Sequence, residues 1–157
     1  MNVEGMAAGA LTEPFNPDKV AKWLGQVNGR RVFEDSTGIC RFLYEKLSDV
    51  IEAINVAQGW ELSIDEAMEI GRRAVNRLRV FNVIHGLKPE QEWPSERYGS
   101  APVDGPTRNV GSIMPHFGTM RRIYWETMGW SPEEGRPLPE TLTKLGLADL
   151  IPLLEGK

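Results

Sequence analysis

Cysteine is almost missing from this chain, whose 157 residues contain a single one, Cys40. One thiol cannot form an internal disulfide, so the sequence fits a reducing compartment, and we expect a cytoplasmic protein. Apolar runs are short, and none approaches the roughly 20 residues that a membrane-spanning helix requires. An excess of positive charge is missing too, because 18 Lys and Arg stand against 22 Asp and Glu, for a net charge of −4. These absences predict no membrane association and no nucleic-acid partner held through phosphate contacts.

Strand patterns are also missing, because no convincing alternation of apolar and polar residues occurs. Apolar residues recur at helical spacing instead, and the apolar content of 41% and charged content of 25% are ordinary for a globular domain. We therefore predict an all-α, multihelical single domain at residues 15–157. Residues 1–14 are predicted to be a frayed N-terminus, since they have neither the basic start nor the apolar centre of a signal peptide.

Capping and stop residues place most of the helices. The first begins at Asn16, a capping residue followed by proline, and ends between residues 28 and 33. The second begins at Ser48 and stops at Gly59. Two more helices are predicted after the third, a fourth at residues 115–128 and a short last one at 139–146.

The third helix has the clearest pattern in the sequence. Ser63 followed by Glu66 is a capping-box pair that marks its start, and Gly86 marks its end. The glycine at position 71 lies on the apolar face, which predicts that another backbone packs closely there. The residues predicted to form this buried face are Ile64, Ala67, Met68, Gly71, Ala74, Val75, Leu78 and Phe81.

A long irregular segment separates the third and fourth helices. It runs from Gly86 to about Gly111 and is rich in proline and glycine. Loops of this length inside a compact domain usually have a functional or partner-facing role. We predict an ordered surface loop that lies across the helices.

Four arginines fall close together on the third helix, at Arg72, Arg73, Arg77 and Arg79. We predict a solvated helix face with a structural salt bridge, and the alternative is a docking site for an acidic electron-transfer partner. The two histidines, at positions 85 and 116, lack neighbouring ligands at metal-site spacing, so we predict no histidine metal site.

The segment Glu34–Phe42 brings an acid, a glycine and the thiol together between helices. A carboxylate such as Asp35 can accept two parallel hydrogen bonds from a flat heterocycle with adjacent N–H donors. Gly38 allows close approach of a ligand to the backbone, and a thiolate at Cys40 is a soft ligand for iron or zinc. The alternative is a helix–loop–helix corner in which the thiol is buried and purely structural.

This segment resembles a family pattern. Residues 35–42, Asp-Ser-Thr-Gly-Ile-Cys-Arg-Phe, are similar to the Asp-x-x-Gly-Leu-Cys segment in the C-terminal part of the tungsten-containing aldehyde ferredoxin oxidoreductases. The resemblance extends from Asp35 to about Leu147. Further landmarks at similar spacing are Gly59–Ser63, Ile70–Arg73, Arg79–Asn82 with Gly86, Trp93–Arg97, Gly129–Trp130 and Gly135–Pro137.

The resemblance implies a redox cofactor set and a role for each residue of the segment. In that family a tungsten ion held by two pterin dithiolenes and a nearby 4Fe-4S cluster oxidise an aldehyde to a carboxylate, and ferredoxin receives the electrons. Cys40 matches the fourth cluster ligand, which agrees with the preference of such clusters for thiolates. Asp35 matches the carboxylate that pairs with a pterin ring edge, and Gly38 the glycine that lets the loop pass close to the cofactor.

The resemblance also implies that the chain works with other parts of an enzyme. The other three cluster thiolates and a β-rich domain with most pterin contacts belong to N-terminal and middle domains, so we expect no cofactor bound to this chain alone and no activity by itself. The chain is then a fragment or a separate subunit. Residues 87–91 depart from the Arg-containing family loop, which leaves the aldehyde undefined, and tungsten and molybdenum both stay open.

Two alternatives remain. One is a cofactor-free helical interaction or scaffold module, and the other is a helical scaffold of unrelated ancestry. If Cys40 packs among Phe42, Leu43 and Leu47 while Asp35 caps a helix, the structural interpretation is favoured. If both groups project from a concave face near Gly38, a cofactor edge fits there.

Overall fold

The computed structural model describes residues 16–105, 108–109 and 111–155. Within these ranges the chain is helical and contains no β-strand, apart from a single antiparallel bridge between Trp130 and Pro137. The all-α prediction is therefore confirmed, while the prediction for residues 1–14 falls outside the described residues. The α-helices are α1 (Pro17–Val27), α2 (Arg30–Ser36), α3 (Leu47–Gln58), α4 (Ile64–Ile84), α5 (Glu96–Gly99), α6 (Met114–Met128), α7 (Pro139–Lys144) and α8 (Ile151–Glu155), and short 3-10 helices occur at Arg41–Leu43, Pro89–Glu92 and Ala148–Leu150.

The start of α1 forms as its sequence predicts. The Asn16 side chain accepts a hydrogen bond from the backbone N–H of Lys19 at 3.1 Å, and Pro17 occupies the first turn. The helix ends at Val27, however, and α2 begins three residues later, after Gly29 with φ 109°. The expected loop before the thiol is thus partly helical, and Asp35 lies in the last turn of α2 rather than on a connector.

Helix α4 begins at the predicted capping box. Ser63 Oγ accepts from the N–H of Glu66, whose carboxylate accepts from the N–H of Ser63 at 2.9 Å. Hydrogen bonds from the Ser63 side chain and backbone also lower the pKa of the Glu66 carboxyl. The close backbone approach predicted at Gly71 is confirmed, because a Cβ added there would lie 1.9 Å from the carbonyl oxygen of Gly29.

Among the described residues the core includes three clusters of buried side chains, and α4 connects them. Its first turns contribute Ala67 and Met68 to a cluster with α2 and α3. Val80 contributes to a second cluster with α7, and Val75 packs against a third that is centred on Trp125 and Trp130. Helix α1 packs mainly on α6. The long helix α4 is therefore the element against which the others are arranged.

The predicted buried face of α4 is correct in its first half and wrong in its second. Leu78 and Phe81 are 58% and 55% exposed, whereas Asn76 and Arg79 are buried. The neighbours of α4 change along its length, from α2 and α3 to α7 and the Trp130 turn, so the covered side of the helix rotates.

The segment between α4 and α6 lies across α6, as predicted, although it includes α5 and a 3-10 helix. Arg121 of α6 donates a hydrogen bond from Nη1 to the carbonyl of Pro89. Its guanidinium also stacks on Trp93 at 5.6 Å from the ring centroid, and Trp93 meets Phe117 edge-on at 5.1 Å. These contacts hold the start of the segment on the helical body.

No helix among the described residues is long and apolar enough to cross a membrane.

Candidate functional site

The candidate site consists of Asp35, Gly38 and Cys40, which lie within six residues at the end of α2. The Asp35 side chain is exposed in the last turn of α2. Gly38 has φ 72°, and the position of a Cβ built on it has no other atom within 4 Å. Cys40 is a free, exposed cysteine at the start of the 3-10 helix Arg41–Leu43. The three residues therefore share one exposed turn.

Hydrogen bonds fix the path of the backbone through this turn. Thr37 donates from both its N–H (3.2 Å) and its hydroxyl (2.7 Å) to the carbonyl of Glu34. The N–H of Gly38 reaches the carbonyl of Asp35 at 3.3 Å, and the left-handed conformation of Gly38 then reverses the chain. Ile39 packs against the first core cluster. The thiol of the next residue is thus presented by a backbone that is anchored on both sides.

The structural interpretation, in which Cys40 packs among apolar neighbours, is wrong. Leu47 is buried in the first cluster, but Phe42 is 99% exposed and Leu43 79% exposed. The thiol itself is exposed as well. A large aromatic and an aliphatic side chain that flank an exposed thiol form an apolar surface that nothing in the described part of the chain covers.

Two sets of polar contacts near the site were not predicted, one inside α2 and one between α4 and the end of α1. Glu34 is buried, with 2% exposure, and accepts a hydrogen bond from Arg30 Nε at 2.7 Å. Arg72 of α4 donates hydrogen bonds to the carbonyl oxygens of Gln26 (3.0 Å) and Asn28 (3.3 Å) at the end of α1. The spacing of four between Arg30 and Glu34 could have indicated the ion pair, whereas the long-range contacts of Arg72 leave no local pattern.

A second polar cluster lies in the interior around Arg79. Its Nε donates to the carbonyl of Gly135 at 2.7 Å, and its Nη2 to Glu92 at 2.9 Å. The guanidinium also stacks on Trp130, at 4.7 Å, and Trp125, at 5.5 Å. These partners engage the cation from several sides, so the cluster ties the long loop and the Trp130 turn to α4.

The predicted solvated arginine face is therefore half correct. Arg73 and Arg77 are exposed as expected. Arg72 and Arg79 instead make the contacts just described, and the predicted structural salt bridge is the pair Arg79–Glu92.

A cavity of about 280 Å³ opens between α1 and α6. Burial raises the pKa of the Tyr124 hydroxyl above its ordinary value, and a hydrogen bond from Asn28 Nδ2 lowers it in part. The Glu92 carboxylate at the cavity is already paired with Arg79. The lining of this cavity is therefore mainly an apolar packing surface. Its apolar residues are Ala21, Leu24, Phe117, Met120 and Trp125.

The metal-ligating capacity of the described residues is limited. No group of three or more His, Cys, Asp or Glu side chains that could hold a metal ion occurs among them. The ring of His85 stacks on Phe81 with centroids 4.1 Å apart. Cys40 is a free, exposed cysteine.

Comparison with known proteins gives a family match over most of the chain. The family model described as aldehyde ferredoxin oxidoreductase, domains 2 and 3, matches residues 2–147. Tungsten-containing aldehyde ferredoxin oxidoreductases of Pyrococcus horikoshii and Pyrococcus abyssi are each 33% identical to the chain over 121 residues, which cover 74% of it. The enzyme of the same name from Thermococcus kodakarensis is 32% identical over 121 residues. No solved structure matches the chain.

The match covers only part of each relative. The aligned residues make up 19% of the three proteins just named. The chain therefore spans about a fifth of the length of the curated relatives that it matches.

Proposed function

Because the chain belongs to the aldehyde ferredoxin oxidoreductase family, we propose that it supplies one cluster ligand and one pterin contact to a tungsten-containing enzyme of that family. The complete enzyme would convert an aldehyde and water to a carboxylate, three protons and two electrons. A tungsten ion on two pterins and a 4Fe-4S cluster would supply this redox chemistry, and ferredoxin would accept the electrons. The observation that carries the proposal is the exposed thiol of Cys40 beside the exposed Phe42.

Cys40 is proposed as one of four cluster thiolates. An iron–sulfur cluster of this kind takes its ligands from cysteine side chains that converge on one point. The exposed sulfur of Cys40 can approach such a point from outside the domain, because Phe42 and Leu43 beside it are exposed as well. The other three thiolates would come from the N-terminal and middle domains, or from a separate subunit that contains them.

Asp35 and Gly38 are proposed as cofactor contacts. The exposed carboxylate of Asp35 can accept two parallel hydrogen bonds from the ring N–H and the amino group of a pterin. Gly38 leaves open space where a side chain would begin, so a flat ring can approach the turn closely. Asp35 and Gly38 therefore suit contact with one edge of a cofactor, and Cys40 suits the position of one cluster ligand.

The remaining parts of the proposal concern the chain as a whole. We propose a cytoplasmic protein in which residues 15–157 act as one helical domain behind an N-terminal extension at 1–14. The residues described offer a single thiolate and no metal-ligating group of three. The chain alone is therefore expected to be inactive and colourless, without stoichiometric iron.

Anaerobic purification of the tagged chain from the cells that produce it, followed by iron and tungsten analysis, tests this proposal. We expect the chain to bring along a polypeptide with a group of closely spaced cysteines, and the complex to contain about four iron atoms. Replacement Cys40→Ser should lower the iron content and alter the electron paramagnetic resonance spectrum of the reduced complex. The control Glu45→Gln changes another exposed residue nearby and should leave both unchanged. Unchanged iron in the Cys40→Ser complex would contradict the proposal.

A cofactor-free interaction module is the second candidate function. The exposed apolar side chains of Phe42 and Leu43 favour it, because such a surface also suits a protein partner that brings no cofactor. In that case the chain would bind its partner without iron or tungsten, and Cys40→Ser would change neither binding nor spectrum.

A further inference from the structure

One face of α4 carries a row of apolar residues, and only the first part of this row is buried. Ala67, Gly71, Ala74, Leu78 and Phe81 follow one another at steps of four, three, four and three residues. This spacing places them on one side of a helix and is typical of a seam that packs along a second helix. Ala67 and Gly71 are buried, whereas Leu78 is 58% and Phe81 55% exposed. We call Ile70, Ala74, Leu78 and Phe81 the α4 stripe.

Among the described residues, much of the stripe is exposed because α4 is longer than α2, which packs beside it. Helix α4 has 21 residues, about 31 Å at 1.5 Å per residue, and α2 has 7 residues, about 10 Å. Helix α2 packs on the first turns of α4, where Phe33 meets Ala67 and Met68 in the first cluster. Beyond Gly71, α2 no longer covers this side of α4, and within the described part of the chain Leu78 and Phe81 stay more than half exposed. A partner that extended the packing would bury side chains that are now about half exposed.

Positive charge borders the stripe. Arg73 and Arg77 are both exposed and lie one turn apart. On the helix surface Arg77 is next to Ala74 and Phe81, and Arg73 is next to Ile70. A matching surface therefore has an apolar centre and carboxylates along one edge. Two copies of the chain do not meet this requirement. In an antiparallel two-fold pair, the Arg73 and Arg77 side chains of both copies would lie on one seam, where like charges repel. In a parallel pair they would face the opposite edge of the stripe, which carries Gly71 and Asn82 and no carboxylate.

We propose that the α4 stripe is a docking surface for an acid-flanked amphipathic helix in the remaining part of the same enzyme. The inference rests on the proposed function, because the aligned segment is 19% of the relatives and about four-fifths of such an enzyme lies outside the match. That remainder is long enough to contain a helix that packs on the exposed α4 stripe. The stripe runs from residue 70 to residue 81, about 16 Å along α4, which corresponds to roughly three turns of a partner helix.

Site-specific photocrosslinking tests this docking surface. Photoreactive benzoylphenylalanine replaces Phe81 in the tagged full-length chain, which is then produced in the cells of origin and irradiated under anaerobic conditions. The matched control places the same group at Tyr98, an aromatic residue of α5 that is 84% exposed. We expect position 81, and not position 98, to give an adduct with the polypeptide that contains the cysteine group, through a peptide with an amphipathic acidic sequence. An adduct with a second copy, an adduct with any other protein, equal adducts from both positions, or no adduct would overturn the proposal.

A charge substitution provides the second measurement. The double replacement Leu78→Glu and Phe81→Glu should weaken co-purification of that polypeptide at least tenfold, while Tyr98→Glu should not. Circular dichroism of the isolated chain should be unchanged in both variants, because these side chains are already largely exposed. Undiminished binding by the double variant would contradict the docking surface. If iron in the complex still depended on Cys40 in that case, the proposed function would stand and only this inference would fail.

Discussion

Gly71 and Gly29 determine how closely α2 approaches α4, and hence where the candidate site lies. A Cβ at position 71 would stand 1.9 Å from the Gly29 carbonyl oxygen, closer than any two such atoms can be. Gly29 also has φ 109°, a backbone conformation that side chains rarely permit. Arg72 then ties down the end of α1 through the carbonyls of Gln26 and Asn28. The position of the turn that carries Asp35 and Cys40 therefore depends on the close approach of Gly29 to Gly71.

Replacement Gly71→Ala should therefore destabilise the chain by about 1–3 kcal/mol, because the added methyl group forces the two backbones apart. Gly118→Ala is the matched control, since its Cβ would meet nothing closer than 3.9 Å and the residue lies inside α6. That change should stabilise the chain by about 0.5–1 kcal/mol through helix propensity. Urea unfolding followed by circular dichroism measures both. A Gly71→Ala variant as stable as the parent would mean that the helices do not pack this closely.

The proximity of Asp35, Gly38 and Cys40 was predictable from the local pattern, because an acid, a glycine and a thiol lie within six residues of one segment. The surface on which they lie was not predictable in the same way. The exposure of Cys40 depends on the path of Phe42 and Leu43, which point away from the core although both are apolar. Hydrophobicity alone predicts burial for such residues, and only tertiary context shows otherwise.

At the scale of elements, the boundaries of α4 were predictable and its covered face was not. Capping boxes and stop glycines act within four residues, so Ser63 and Gly86 identify the ends of the helix directly. The face depends on neighbours far along the chain. Arg79 is buried because Gly135, 56 residues away, and Glu92, 13 residues away, fold over it. An arginine beside three others in sequence gives no local indication of such a site.

Replacement Arg79→Ala should cost about 3–5 kcal/mol, because it leaves the Glu92 carboxylate and the Gly135 carbonyl without their cation and empties the space beside Trp130. Arg79→Lys should be intermediate, since an ammonium group cannot reproduce the planar guanidinium fork. Chemical unfolding with tryptophan fluorescence as the readout measures both variants. The control Arg77→Ala lies on the exposed side of the same helix and should change stability by less than about 0.5 kcal/mol. Equal effects at positions 77 and 79 would contradict the buried cluster.

At the scale of the whole molecule, the chain holds three clusters of buried side chains together through one helix. The candidate site and the α4 stripe are both surface features that this arrangement leaves uncovered. Sequence reasoning could predict that Asp35, Gly38 and Cys40 lie together because they are close in the chain. It could not predict that the α4 stripe is exposed, because a buried helix face and an exposed one can have the same apolar periodicity. The exposure follows from the length of α2 relative to α4.

The three clusters should unfold together, since α4 passes through all of them and a break in one cluster removes its support for the others. Met68→Ala tests this at the end farthest from the buried tryptophans, and should cost about 2–5 kcal/mol by leaving a cavity beside Phe33. Trp125 and Trp130, with 2% and 4% exposure, report on the third cluster by fluorescence, while circular dichroism reports on all helices. We expect the urea midpoints from both probes to fall by the same amount. If the circular dichroism midpoint fell while the fluorescence midpoint stayed, the first cluster would be an independent unit, and α4 would not transmit stability from the candidate site to the rest of the chain.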